Sequence, residues 1–344
     1  MVLVPAVLAP ESALATSPFV EESSAGGRVQ AEMTEVRADG IEREHARVDV
    51  TAGVAGEPFA IYGRLVATGA TTRMLLEMRM SCLDGDLQAV TTRNVVAERA
   101  SVLVARWVFT APRDGTYVCR LTSRSTIPGR WRDASAVLQI DESDSYIEAT
   151  GPLSGVPQEN TSADVHIPAR GAADVAVFSW TAPPRVSSFR VAGDVQYTNC
   201  YDGGGAAACA TSPANQRSSV IATVLQVLQL AADGGYCNVV SAPSDELQRT
   251  TITRDVHHLK VHHRADVVHV STAGDCTRTF RIKVYVRVES GNPVVAHGRR
   301  YSQLTVYPSA PTERTVVVRV EPPTAPRATV PTRRFEHRLG GILA

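Results

Sequence analysis

Five of the nine histidines in this 344-residue chain fall between positions 257 and 269. The stretch reads Asp255-Val-His-His-Leu-Lys-Val-His-His263, followed by Asp266 and His269. Imidazoles at that density point to zinc or copper chemistry. On a helix, His258 and His262 would share one face four residues apart. The interleaved valines and the preceding Thr250-Thr-Ile-Thr253 predict a strand instead. On a strand the two histidines stand about 13 Å apart, at about 3.3 Å per residue, too far to share an ion. The segment therefore reads as a solvated polar strand face, and His258 and His262 are the weak metal candidates it offers.

Other chemistry-bearing residues are sparser. Asp84-Gly-Asp86 and Asp141-Glu-Ser-Asp144 could present oxygens to calcium, but neither fits a twelve-position EF-hand loop, and both suit turns. Gly203-Gly-Gly205 lacks the flanking pattern of a phosphate cradle and reads as a turn. The chain contains no G-x-S-x-G, H-E-x-x-H, C-x-x-C or P-loop motif. No catalytic set and no cofactor is expected. Trp131, between Arg130 and Arg132, is the binding candidate, on a loop spanning Ser123 to Arg132.

The elements that must position these residues follow from composition and periodicity. Hydrophobic residues make up 44% and charged residues 20%, which is a folded composition. Basic and acidic residues balance at 35 each, so no global charge points to nucleic acid or an anionic membrane. Short alternating runs predominate, such as Leu76, Met78 and Met80 around Glu77 and Arg79. Arg281 to Val288 alternates in the same way. Val102 to Phe109 is apolar enough for a strand covered on both sides. With Asp-Gly and Pro punctuation, the chain reads as all-β.

A repeat organises it. Cys82-Leu-Asp-Gly85 matches Cys200-Tyr-Asp-Gly203, and Asp114-Gly-Thr-Tyr-Val-Cys119 matches Asp233-Gly-Gly-Tyr-Cys237. The cysteines are 37 residues apart in both copies. Two units are expected: a signal-like segment and lead-in over 1–39, a first β-sandwich over 40–141, a second over 142–320, and a Pro/Arg-rich tail over 321–344. Residues 141–155 read as the linker. On this alignment Val220 to Leu230 is a strand opposite Val102 to Phe109, and Arg314 to Val320 can form an edge strand.

The Asp-Gly-x-Tyr-x-Cys segment resembles the tyrosine corner of immunoglobulin-like domains, where a Tyr two residues before a Cys closes the sandwich edge. Trp107 departs from that pattern, standing shortly before the second cysteine instead of after the first. The better likeness is to secreted bacterial immunoglobulin-like or fibronectin-like sandwich proteins. It implies two such sandwiches in tandem, with Cys82–Cys119 and Cys200–Cys237 each linking two sheets. Cys209 and Cys276 then form a third bridge. The competing arrangement is local, Cys200–Cys209 with Cys237–Cys276, and spacing alone does not choose between them.

Val2 to Ala9 and Ala13-Leu-Ala15 resemble the end of a secretory signal, with the mature chain starting after Ala15. No apolar run reaches the roughly 20 residues of a membrane span. The sequence thus describes a secreted or cell-surface, non-catalytic binding or envelope-structural module. Its partner would be a protein or a cell-envelope glycan, not nucleic acid, and self-association is possible. The alternatives are a secreted hydrolase with a split active site and a self-assembling surface subunit.

Overall fold

The computed structural model describes residues 27–309, except 34, 70–72, 85–88, 97–98, 128–135, 154–157, 162, 202–208, 210–217 and 240–246. Among the described residues the regular structure is β throughout, with no α-helix. The amino-terminal half contains β1 (Arg28–Gln30), β2 (Glu35–Arg37), β3 (Arg43–Ala52), β4 (Pro58–Thr68) and β5 (Met74–Ser81). It continues with β6 (Ala89–Val95), β7 (Ala100–Thr110), β8 (Gly115–Thr126), β9 (Val137–Ile140) and β10 (Tyr146–Pro152). Alternation works as expected in β5, where Met74, Leu76, Met78 and Met80 are buried while Leu75, Glu77 and Arg79 stay partly exposed.

Two sheets enclose one apolar core built from Val48, Phe59, Leu76, Leu103, Trp107 and their neighbours. One sheet runs β3–β8–β5–β6. In the other, β4 pairs β7 along one edge, and β10 and then β9 along the opposite edge. β1 lies beyond β10, and β2 beyond β9. Counting β1/β2 and β9/β10 as interrupted single strands, the sheets follow orders 1-8-3-6 and 2-7-4-5. That is jelly-roll order, in place of the immunoglobulin order expected from the corner. The corner itself is present: the Tyr117 hydroxyl donates to Arg113 O at 2.8 Å. Such a contact fixes one turn and does not decide which sheet the next strand enters.

The carboxy-terminal half repeats this plan. Its strands are β11 (Gln158–Thr161), β12 (Val165–Ile167), β13 (Ala172–Thr181), β14 (Ser188–Asn199), β15 (Ser218–Ala231) and β16 (Tyr236–Val239). They are followed by β17 (Gln248–Thr253), β18 (His258–His269), β19 (Cys276–Gly291), β20 (Val294–His297) and β21 (Arg299–Pro308). Each pairing of the first half has a counterpart, with β14 between β18 and β20/β21, and β19 between β13 and β15. Only β16 is extra, paired to the end of β15. A second core gathers Phe189, Tyr197, Leu225, Phe280, Val284 and others.

Side chains confirm the equivalence. Phe59 faces Pro152 across its ladder as Phe189 faces Pro308. Ser145 accepts from the Val66 amide as Ser302 accepts from that of Gln196. Thr51 bonds Thr116 as Thr181 bonds Thr279. Gly63 and Gly193 stand at one equivalent place for one reason, close approach. A Cβ at Gly63 would lie 2.5 Å from Met80 Sδ, and at Gly193 2.8 Å from Leu304 Cδ2.

This register corrects the sequence alignment. Gly63 and Gly193 are 130 residues apart and Thr116 and Thr279 are 163 apart, whereas the cysteine repeat implied 118. Val220 to Leu230 is indeed strand, but β15 occupies the place of β5, not of Val102 to Phe109 in β7. The expected lead-in and linker are also strands in part. β1, β2 and β10 all join the first half. β2 has a single apolar residue, Val36, and β10 buries Glu148 against Arg28 at 2.8 Å, so neither shows the periodicity of a strand.

The bridges are Cys82–Cys119, Cys200–Cys209 and Cys237–Cys276. The first joins neighbouring strands of one sheet, just past the Ser81–Arg120 pair, and does not link two sheets. Cys200–Cys237 does not form because Cys200 follows β14 and Cys237 lies on β16, in different sheets. Cys209 instead closes the long β14–β15 connection onto Cys200, both buried beside Val295. Cys237 ties the extra strand to Cys276, which stands opposite Ala231.

Candidate functional site

The histidines do lie on a strand, but their polar face is covered by the first half and not solvated as expected. In β18, Leu259, Val261 and Ala265 belong to the second core or pack on it, so His258, Lys260 and His262 point away from it. Their cross-strand partners on β14 are Thr198, Gln196 and Asp194. The first half packs on this face through β6, β7 and β4. The described residues of both halves belong to one compact unit.

The seam between the halves is polar and closely paired. Asp194, 1% exposed, meets Arg106 of β7 at 3.0 and 3.2 Å and His262 Nδ1 at 2.8 Å. Gln196 donates to Thr92 O at 3.0 Å and accepts from Thr92 N at 3.2 Å, as a strand partner would. Lys260 donates to Val90 O at 2.6 Å. Asn94 Oδ1 accepts from the amides of His257 and His258 at 3.0 and 3.1 Å. Tyr62, Val104 and Tyr146 make the apolar part of the seam, with Tyr307 of the second half against them.

Burial sets the protonation states. It works against the Asp194 carboxylate, but the charge of Arg106 and the hydrogen bond with His262 outweigh it and hold the group well below the usual range. Burial lowers Lys260 to about 8, with Asp194 opposing. It lowers His258 to about 3 and His257 and His263 to about 4. His262 is lowered too, against the pull of Asp194. Neutral imidazoles can ligate metal, yet Nδ1 of His262 already bonds Asp194, and Nδ1 of His258 lies 3.3 Å from Asn94 Oδ1. Among the described residues no three His, Cys, Asp or Glu side chains cluster as a metal site. This arrangement fastens the two halves to each other.

One signal in the sequence could have revealed the seam. Arg106 is the lone charge of β7, and Asp194 stands among buried residues of β14 with the opposite sign. A buried charge needs a partner, and these two are of opposite sign, although Arg64 and Arg93 are lone charges of their strands as well. Arg130, Trp131 and Arg132 lie outside the described residues, as do Gly203 to Gly205 and Asp86.

A second place carries chemistry of a different kind. A cleft of about 850 Å3 opens beside β2 and β3. Arg37, Arg43, Arg47, Glu32, Glu35 and Glu44 line it, with buried His45. His45 sits at a register shift in β3 between Glu44 and Ala46. Such a bulge re-aims one side chain. His45 Nε2 and Ser123 Oγ share a hydrogen bond of 2.7 Å, and Ser123 is fully buried. Burial lowers His45 to about 4, against the nearby Met33 backbone, so the ring is neutral.

No family model matches the chain, and no curated protein matches it. Solved structures give distant likenesses. The tandem CBM22-1–CBM22-2 domains of Paenibacillus barcinonensis Xyn10C share 12% identity over 85% of this chain and 96% of theirs, with a TM-score of 0.23. The structure described as STIV MCP shares 9% over 81% and 96%, with a TM-score of 0.27. The infectious bursal disease virus VP2 subviral particle shares 11% over 80% and 74%, with a TM-score of 0.25. At these scores the likenesses decide neither fold nor function.

Proposed function

We propose that this protein is an extracellular, non-catalytic binding or envelope-structural module. The observation that carries the reading is that all six cysteines are bridged. Disulfides persist in oxidising compartments and are rare where glutathione keeps thiols reduced. Rigidity fits the same role: the titratable groups that could do chemistry at the seam are spent on fastening the halves. No helix among the described residues is long and apolar enough to cross a membrane. The partner classes remain a protein or a cell-envelope glycan.

The test is fractionation of the native source, followed by capture of bound material from its envelope or culture fluid. Bridged protein outside the cytosol, retaining an envelope component, is the expected result. Reduced thiols at Cys82 and Cys119 in cytosolic material would end the reading. One observation favours the rival, a hydrolase: the His45–Ser123 pair has the spacing of a base and its nucleophile. Labelling of Ser123 by a fluorophosphonate, lost in Ser123→Ala, would establish that rival.

A further inference from the structure

The three bridges differ in what surrounds them. Cys82, Cys119, Cys200 and Cys209 are buried, whereas Cys237 and Cys276 are both partly exposed. A disulfide is broken by a thiolate that reaches one of its sulfurs, so access decides which bridge reacts first. A dithiol in solution therefore meets Cys237–Cys276 before the other two. Reaching Cys82–Cys119 or Cys200–Cys209 requires part of a half to open.

What that bridge holds is the second observation. It ties β16 to the first residue of β19. β16 is the strand without a counterpart in the first half, so the jelly-roll plan is complete without it. None of its four residues belongs to the second core, and Tyr236 and Val239 are 51% and 47% exposed. Among the described residues its only ladder is to β15, through Leu228–Val239, Gln229–Asn238 and Leu230–Tyr236. A hairpin arm with no core contact of its own is marginal in water. The bridge thus supplies the constraint that apolar burial does not. β17 covers the other stretch of that edge of β15, from Ser218 to Thr223, and needs no disulfide.

We infer that Cys237–Cys276 is a reducible latch on β16, which a dithiol opens while the other two bridges hold. The inference rests on the bridged, extracellular state argued above. One thiolate of the dithiol attacks a bridge sulfur, forming a mixed disulfide and releasing the other cysteine. The second thiolate of the dithiol then displaces the first cysteine. The dithiol leaves as its own disulfide, oxidised by two electrons, and Cys237 and Cys276 end as thiols. β16 is then free to leave, which unpairs the edge of β15 from Leu228 to Leu230. An open edge of that kind is a template for another strand. The oxidised molecule keeps it closed.

Differential alkylation of the full chain under native conditions tests it, first without reductant and then along a dithiothreitol series. Without reductant all six cysteines should resist labelling. Free thiols at Cys82 and Cys119 at that stage overturn the extracellular reading, and the latch with it. As dithiothreitol rises, Cys237 and Cys276 should be labelled while Cys82–Cys119 and Cys200–Cys209 stay bridged. Hydrogen exchange on the same samples should show protection lost at residues 228–230 and 236–239 and kept in the second core. Oxidised glutathione should restore both the bridge and the protection. Cys237→Ser with Cys276→Ser should show the same loss of protection with no reductant present. Reduction of all three bridges together, or of a buried bridge first, overturns the latch. So does protection in β16 that survives in the double variant, or pairing that does not return on reoxidation. Each of those results leaves the extracellular reading standing.

Discussion

Arg106 and Asp194 show what a single buried pair contributes. Both are nearly inaccessible, and each bonds the other across the seam at 3.0 Å. Removing one partner strands a buried charge, which costs about 3–5 kcal/mol, whereas replacing both with apolar residues is often neutral. Asp194→Asn should therefore lower stability by about that amount in urea titrations. Arg106→Met with Asp194→Leu should recover most of it. A double variant as unstable as Asp194→Asn would show that the pair gives net stability and is not merely tolerated. The histidines around it set a pH dependence. His257, His258 and His263 have folded values near 4, 3 and 4, below an ordinary value near 6.5. The unfolded chain thus binds protons first as pH falls, so this stability is complete above pH 6.5 and shrinks down toward pH 4 and 3. Each unit is worth about 1.4 kcal/mol, so His258 alone should account for roughly 3 kcal/mol between pH 7 and 4. His258→Gln should flatten the fall in urea midpoint over that range. An unchanged slope would mean that His258 is not buried at the seam.

At the scale of strands, the two halves act as controls for each other. Counting from the paired threonines Thr116 and Thr279, Cys119 of β8 corresponds to Ile282 of β19. Ile282 faces Val227, and both are fully buried. One half therefore uses a disulfide where the other uses two aliphatic side chains. Cys82→Val with Cys119→Ile should keep the fold and lose about 2–4 kcal/mol, the usual worth of a bridge closing a loop of this size. Failure to fold would show that the bridge, not the packing, holds β5 to β8. The same comparison explains what the sequence could reveal. Strand character was legible in β5 and β19 because each alternates for eight residues or more around one core. The true repeat was not, because it survives in scattered residues such as Phe59/Phe189 and Gly63/Gly193. The cysteine match drew the eye to Cys200 and Cys237, neither of which has an equivalent in the first half. Strand order was hidden for a further reason. The long-range pairings of β4 with β10 and of β14 with β21 depend on burial against another sheet, which local pattern does not encode. The cleft was equally hidden, since His45 is an ordinary residue until the bulge turns it inward.

The whole molecule is governed by what lies between its halves. Arg106, Thr92, Val90 and Asn94 from one half meet Asp194, Gln196, Lys260 and the His257–His258 amides from the other. Separate sandwiches in one chain ordinarily move against each other unless their interface is large and well packed. Here Arg106, Asp194, Gln196 and Lys260 are buried and bonded across the seam, so exposing one half exposes unpaired charge on the other. Unfolding of one half should therefore pull the other with it. Calorimetry at pH 7 should give a single transition whose calorimetric and van't Hoff enthalpies agree. Asp194→Asn weakens the seam without touching either apolar core, so it should split the transition in two or drop the van't Hoff value below the calorimetric one. Acid should act likewise, because protonated histidines are accommodated only once the seam opens. Two resolved transitions in the unaltered protein at pH 7 would mean that the halves are independent beads. The polar contacts between them would then be incidental to the stability of the chain.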